Sequence, residues 1–119
     1  MEGVLTDPAQ LAKAAVDAAS DKKASDIILL DIQDMTTIAD YFVICSASNY
    51  RQISAIADAI DDQLRKQGAN VINREGEAES GWLLLDLGGV FVHIFGQKER
   101  DYYRLERLWS DAKTVVYLQ

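Results

Sequence analysis

Cys45 and His93, the one cysteine and the one histidine of the chain, are the residues that could form a thiol–imidazole nucleophile and base. Cys45 lies in Phe-Val-Ile-Cys-Ser-Ala (42–47), an apolar run in which a small buried thiol is the usual occupant. No third group is placed to orient the imidazole, so no catalytic residue and no enzyme activity are expected. Glu75, Glu77 and Glu79 alternate with small residues in Glu-Gly-Glu-Ala-Glu-Ser and could hold a hard cation. They lack the ligand spacing of a calcium loop and read as a solvated acidic loop instead. Asp58, Asp61 and Asp62 fall off an apolar helical stripe, or at its margin, and read as a water-facing side. There is no zinc pattern, phosphate-binding loop or glycine fingerprint after a strand, so neither metal nor cofactor is expected.

The remaining chemistry-bearing residues sit in Ser-Gly-Trp-Leu-Leu-Leu-Asp-Leu-Gly-Gly-Val-Phe-Val-His-Ile-Phe-Gly, residues 80 to 96. Gly88-Gly89, between two apolar runs, reads as a two-residue hairpin turn requiring positive φ. That turn places Leu87 opposite Val90, Leu85 opposite Val92 and Leu83 opposite Ile94. Alternation puts these aliphatic pairs on one face, which is core. The other face carries Trp82 with Phe95, Leu84 with His93, and Asp86 with Phe91. Such a face is either a second core layer, with Asp86 and His93 hydrogen-bonded under a helix, or an accessible binding surface, aromatic at its centre. The chemistry of the residues leaves both readings open. In either, the three glutamates upstream of Trp82 supply an acidic rim.

The elements that must position this hairpin are short and well punctuated. Asp7 as N-cap and Pro8 in the first turn open an alanine-rich helix with a shallow apolar face. Residues 27–32 and 41–47 read as interior strands, apolar almost throughout. Ile53, Ile56, Ala57, Ile60 and Leu64 recur at helical spacing, with Ser48 as a possible cap and Gly68 as the C′ residue. Asn-Val-Ile-Asn-Arg-Glu-Gly (70–76) reads as a third strand, reached by that crossover helix and hence parallel to the second. Residues 99–112 read as one final helix with Tyr102, Leu105, Leu108, Trp109 and Ala112 on its stripe and Tyr103 off it. The tail 113–119 is a short strand or a docked extended segment. The expected class is α/β, a mixed sheet of about five strands with flanking helices, in a single domain spanning 1–119.

Apolar residues at 49% and charged residues at 26% fit an ordinary globular chain, and no apolar run is long enough to cross a bilayer. No signal or transit peptide is read at the N-terminus, and one cysteine fits a reducing cytoplasm. The net charge of −7 disfavours tracking a phosphate backbone and favours meeting a basic protein surface.

Four segments together resemble a known family, the ribosomal silencing factors, also called the Iojap family. They are KASDIILLDIQ (23–33), IADYFVICSASNYRQISAIADAI (38–60), EGEAESGWLLLDLGGVFVHIF (75–95) and YYRLERLWSDA (102–112). The resemblance implies a fold similar to nucleotidyltransferases without their chemistry. In agreement, no Asp-x-Asp or Asp-x-Glu pair for Mg²⁺ falls on a strand, and Asp31-Ile-Gln-Asp34 is one residue too long. It further implies a translational repressor that binds the large ribosomal subunit through a basic ribosomal protein on its intersubunit face, large-subunit protein fourteen. Bound there, it would block joining of the small subunit. It implies a homodimer when free; the net charge argues for contact with protein rather than with RNA, and the short apolar runs against a membrane.

Residue by residue, Trp82, Asp86 and His93 fall on the family's W-x-x-x-D and V-H positions, and Tyr103 on the tyrosine of the last helix. The partner-binding set expected from this is Trp82, Leu84, Asp86, Phe91, His93, Phe95 and Tyr103. Where the family usually has Gly-Asp at the hairpin turn, this chain has Gly88-Gly89, which removes a carboxylate from that corner. The competing expectation, a small nucleotide-handling enzyme, rests on fold analogy alone.

Overall fold

The computed structural model describes residues 7–119. Asp7 accepts from the Ala9 amide at 3.2 Å and, with Pro8, starts helix α1 (Pro8–Asp21). Leu11, Ala12, Ala15, Val16 and Ala19 are buried along it, and the small alanines let its axis lie close to the sheet. Helix α2 (Tyr50–Lys66) buries the expected Ile53, Ile56, Ala57, Ile60 and Leu64. Its cap is Asn49 rather than Ser48: Asn49 accepts from the Gln52 amide at 2.9 Å, and the Gln52 side chain reaches back to the Ser48 amide. Gly68 follows at φ 81°, the left-handed C′ position that only glycine takes without strain.

Six strands form one sheet, one more than expected, because the tail is itself a strand. They are β1 (Ser25–Asp31), β2 (Tyr41–Ala47), β3 (Asn73–Glu77), β4 (Trp82–Asp86), β5 (Val90–Gly96) and β6 (Lys113–Leu118), in the order β3-β4-β5-β2-β1-β6. Pairing is antiparallel except between β2 and β5, so the sheet is mixed, as expected. The third strand begins later than expected and pairs with β4, not with β2. It does run in the direction of β2, but the β4–β5 hairpin inserts between them. Glu75 and Glu77 therefore belong to an edge strand rather than a loop, and Glu79 to a 3₁₀ turn (Ala78–Ser80).

The hairpin register is the one the turn dictates, with Trp82 opposite Phe95, Leu83 opposite Ile94, Leu84 opposite His93, Leu85 opposite Val92 and Asp86 opposite Phe91. Gly88 and Gly89 take φ 87° and 81°. Leu83, Leu85, Val90, Val92 and Ile94 face α1 and α2 and join Val43, Cys45, Ile53, Ile56 and Ile60 in the main core. The opposite face holds a smaller cluster of Leu30, Ile32, Ala39, Ile44 and Phe95, against which Phe42, Trp82, Phe91, Leu105 and Trp109 are partly buried.

What covers that second face is not the single helix expected over 99–112. The chain forms α3 (Gln97–Tyr103) and α4 (Leu105–Leu108), broken at Arg104, which adopts φ 46° and ψ 51°. The reason lies in Arg100, which is buried and donates to Ser46 Oγ at 2.9 Å and to Glu106 Oε1 at 2.8 Å. Residues six apart on a straight helix are offset by about 120° and by about 9 Å along the axis, too far for a direct ion pair. The break folds Glu106 back onto the guanidinium, which could not be buried uncompensated. Leu105 and Trp109 still pack inward, but Tyr102 and Leu108, placed on the stripe by sequence, are 80% and 74% exposed. Among the described residues no helix is long and apolar enough to cross a membrane.

Candidate partner-binding face

Strand alternation gathers Trp82, Leu84, Asp86, Phe91, His93 and Phe95 on the second face, and α3 adds Tyr103. Trp82 is the hub. Its ring lies 5.0 Å from Phe95 and 4.7 Å from Tyr103, and its Nε1–H donates to His93 Nδ1 at 3.2 Å. Tyr103 continues to Tyr102 at 5.0 Å, nearly perpendicular, so an aromatic ladder runs from the core to solvent. Beside Trp82 lies an open groove of about 330 Å³ lined by Glu75, Gly76, Ser80, Trp82, Leu84 and Tyr103. Gly76 is needed there, since at φ 85° a β-carbon would sit 2.5 Å from the Trp82 carbonyl oxygen. Register places Glu75 beside Leu84 and Glu77 beside Trp82, so both carboxylates lie on this face and rim the groove.

The expected site residues are together, yet they are not equally reachable. Trp82, Leu84, Asp86 and Phe91 are half-buried, and Tyr103 is exposed. Phe95 is fully buried and His93 nearly so, which corrects the expectation that all seven lie open: these two back the surface from beneath. Asp86 has a structural task, because its Oδ1 accepts from the Gly88 amide at 2.9 Å and fixes the hairpin turn. At the neighbouring Gly89 a β-carbon would meet Pro8 at 3.2 Å and the Asp40 carboxylate at 3.4 Å. An aspartate at this turn position would face a second carboxylate.

His93 is a neutral acceptor. Burial lowers its pKa to about 4, and accepting from Trp82 at Nδ1 leaves its proton on Nε2. That Nε2 is buried and has no hydrogen-bond partner. Cys45 pairs in register with Ile94, so its side chain points to the opposite face from His93. Burial pushes the thiol up to about 12, despite the opposing pull of Arg100. The arrangement therefore holds a neutral thiol and a neutral imidazole on two sides of a sheet, which can neither exchange a proton nor attack together. Asp31, of the Asp-x-x-Asp stretch, accepts from the backbone and side chain of Gln33.

Sequence reasoning missed three participants. Phe42 lies 5.0 Å from His93, 5.0 Å from Trp109 and 6.2 Å from Phe91, at the centre of the face. Its signal was available: once β2 pairs with β5, Phe42 falls beside Phe91. Arg100 and the exposed Tyr102 had no such signal: the burial of Arg100 depends on Ser46 of a distant strand, and the exposure of Tyr102 on the helix break.

The family model described as "Ribosomal silencing factor during starvation" matches residues 6–119. The ribosomal silencing factor RsfS of Bacillus subtilis is 47% identical over 100 residues, 84% of this chain and 85% of that protein. The chloroplastic protein Iojap of Zea mays is 36% identical over 98 residues, 82% of this chain and 42% of that protein. A crystal structure of a Chromobacterium violaceum protein superposes with a TM-score of 0.83 at 33% identity, covering 88% of each chain. One from Bacillus halodurans gives 0.78 at 37% identity, covering 91% of this chain and 98% of the other.

Proposed function

The chain belongs to the ribosomal silencing factor family, and from that membership we propose that it silences translation by occupancy, binding the large ribosomal subunit and obstructing the small one. The contact is with a basic ribosomal protein of the intersubunit face, large-subunit protein fourteen, and the free chain pairs with itself as a homodimer in the cytoplasm. The observation that carries the reading is the Trp82 groove: an indole packed between Phe95 and Tyr103, half-open to solvent, with Glu75 on its wall.

The physics of such a contact is that of an interface rather than of a reaction. Trp82, Leu84, Phe91 and Tyr103 present apolar area whose ordering cost is low, because the rings are already packed against neighbouring aromatics. Glu75 and Glu77, within a chain of net charge −7, draw a cationic surface toward them. His93 and Phe95 hold the indole at its angle, and Asp86 holds the turn. Repression then needs only that the occupied area overlap the path of the small subunit.

Cosedimentation with purified large subunits is the test. The wild-type chain is expected to travel with them, and Trp82→Ala to stay at the top of the gradient while keeping its far-ultraviolet circular dichroism. Trp82→Ala that still travels with the large subunit would remove the groove from the contact.

A further inference from the structure

The residues that cap the second face are frustrated in three independent ways. Arg104, at the joint between α3 and α4, is a non-glycine residue in the left-handed region, at φ 46° and ψ 51°. Beyond the joint, Leu108 is 74% exposed although it is among the larger apolar side chains of the segment. Beneath the cap, two buried polar atoms lack any hydrogen-bond partner, Oε2 of Glu106 and Nε2 of His93, whose ring meets the Phe42 ring on which Trp109 packs. A segment with a strained joint, an apolar side in water and unsatisfied polar groups inside is poorly committed to its closed position.

We propose that residues 105–112 form a flap, hinged at Arg104 and at Lys113 where β6 begins, and latched by the Arg100–Glu106 ion pair, that lifts off the sheet to lengthen the Trp82 groove. Tyr103 and Arg100 lie on the fixed side of the hinge, so the groove wall and the Arg100–Ser46 bond survive opening. Withdrawal of Leu105 and Trp109 uncovers the edge of Phe42, which packs in turn against Phe91 and His93. The surface gained is continuous with the groove across Leu84, which pairs with His93. It is apolar and aromatic, and it takes the same partner class as the groove, a protein surface offering apolar side chains. The flap's role in binding rests on the proposed ribosome contact; its opening does not.

Hydrogen–deuterium exchange on the free full-length chain reads the opening, and binding to purified large subunits reads its use. In the wild type, amides of 105–112 are expected to exchange through an opening much cheaper than that of β2 and β5. Glu106→Gln, which breaks the latch, and Trp109→Ala, which removes the anchor, are each expected to speed that exchange about tenfold with β2 and β5 protection unchanged. If the open form is the binding form, apparent affinity rises by the same factor as the open fraction. Loosening the cap therefore tightens binding. Exchange of 105–112 at the rate of β5 in the wild type would overturn the flap. So would both variants staying folded and binding large subunits more weakly, which would make the closed cap part of the contact. A wild-type chain whose flap opens but which does not bind large subunits would refute the proposed function and leave the hinge standing.

Discussion

The two faces of the sheet are covered by unlike material. On one lie helices of 14 and 17 residues whose buried positions are alanine, isoleucine, leucine and valine. On the other lie helices of 7 and 4 residues over phenylalanine, tryptophan, tyrosine and a histidine. The first face is closed over a buried aliphatic core, and the thiol within it, Cys45, is pushed up to about 12 and stays neutral. The second is half-closed, and its polar atoms are partly unsatisfied. On the proposed function the difference separates tasks: one face makes the domain fold, and the other gives up packing so that a partner can be packed against it.

The comparison breaks most directly at the sealed face. Ile56 is fully buried there, so Ile56→Ala is expected to cost roughly 2–5 kcal/mol through lost burial and a cavity. Binding to large subunits by the molecules that remain folded should be unchanged. Denaturant titration and cosedimentation at a temperature well below the midpoint measure the two halves. A loss of binding without a loss of stability would mean that the helix side also meets the partner.

A pH titration tests the other face. The folded His93 has its pKa depressed to about 4, against about 6.5 in the unfolded chain. Below pH 6.5 the unfolded chain takes up a proton that the folded chain refuses, so stability falls with pH down to about 4. The full effect is on the order of 3 kcal/mol, by about 1.4 kcal/mol per unit. Between pH 6.5 and 5 few carboxylates titrate, so the slope there belongs to His93. His93→Phe should flatten it. A wild-type stability flat across that window would show the imidazole to be solvated and the cap already open.

Trp82→Ala sits between the two regimes. The indole is half-buried, so the expected stability loss is about 1–2 kcal/mol, short of the value for a fully buried aromatic. The expected loss in binding is at least thirtyfold, the behaviour of a desolvated aromatic anchor. Reversal of those two magnitudes would make the second face a core layer after all.

How far these regions could be read from sequence differs for the same physical reason. The hairpin was legible because two glycines fix its register and a period of two then assigns every side chain to a face. Helix α2 was legible because its five buried residues recur at helical spacing on a helix long enough to show it. The final segment misled because 102, 105, 109 and 112 fit a helical stripe, and nothing local announces that Arg100 will be buried and need Glu106. Glu75 and Glu77 read as loop because charge and glycine suppress the strand signal. An edge strand, though, tolerates both, and charge there keeps other strands from pairing. The candidate residues were identified, but the sequence could not say which of them would be beneath the surface and which on it, since that depends on where a broken helix ends up.

The smallest effect is also the sharpest discriminator between steering and anchoring. Glu75 and Glu77 are exposed on the edge strand, and the neighbouring Arg74 pairs with Asp58 rather than with either of them. Replacing both with glutamine should leave stability within about 0.5 kcal/mol, as for other surface substitutions. If the rim only steers, the association rate with large subunits falls several-fold at low salt, and the difference fades as ionic strength rises through the range where the Debye length drops below about 10 Å. The dissociation rate should not move, because charges left in water on both sides of the encounter contribute little once the rings have docked. Stopped-flow association followed through Trp82 fluorescence, at two salt concentrations, separates the rates. A faster dissociation in the double variant would instead mean that the carboxylates are desolvated in the complex, which would place the partner's cations inside the groove rather than around it.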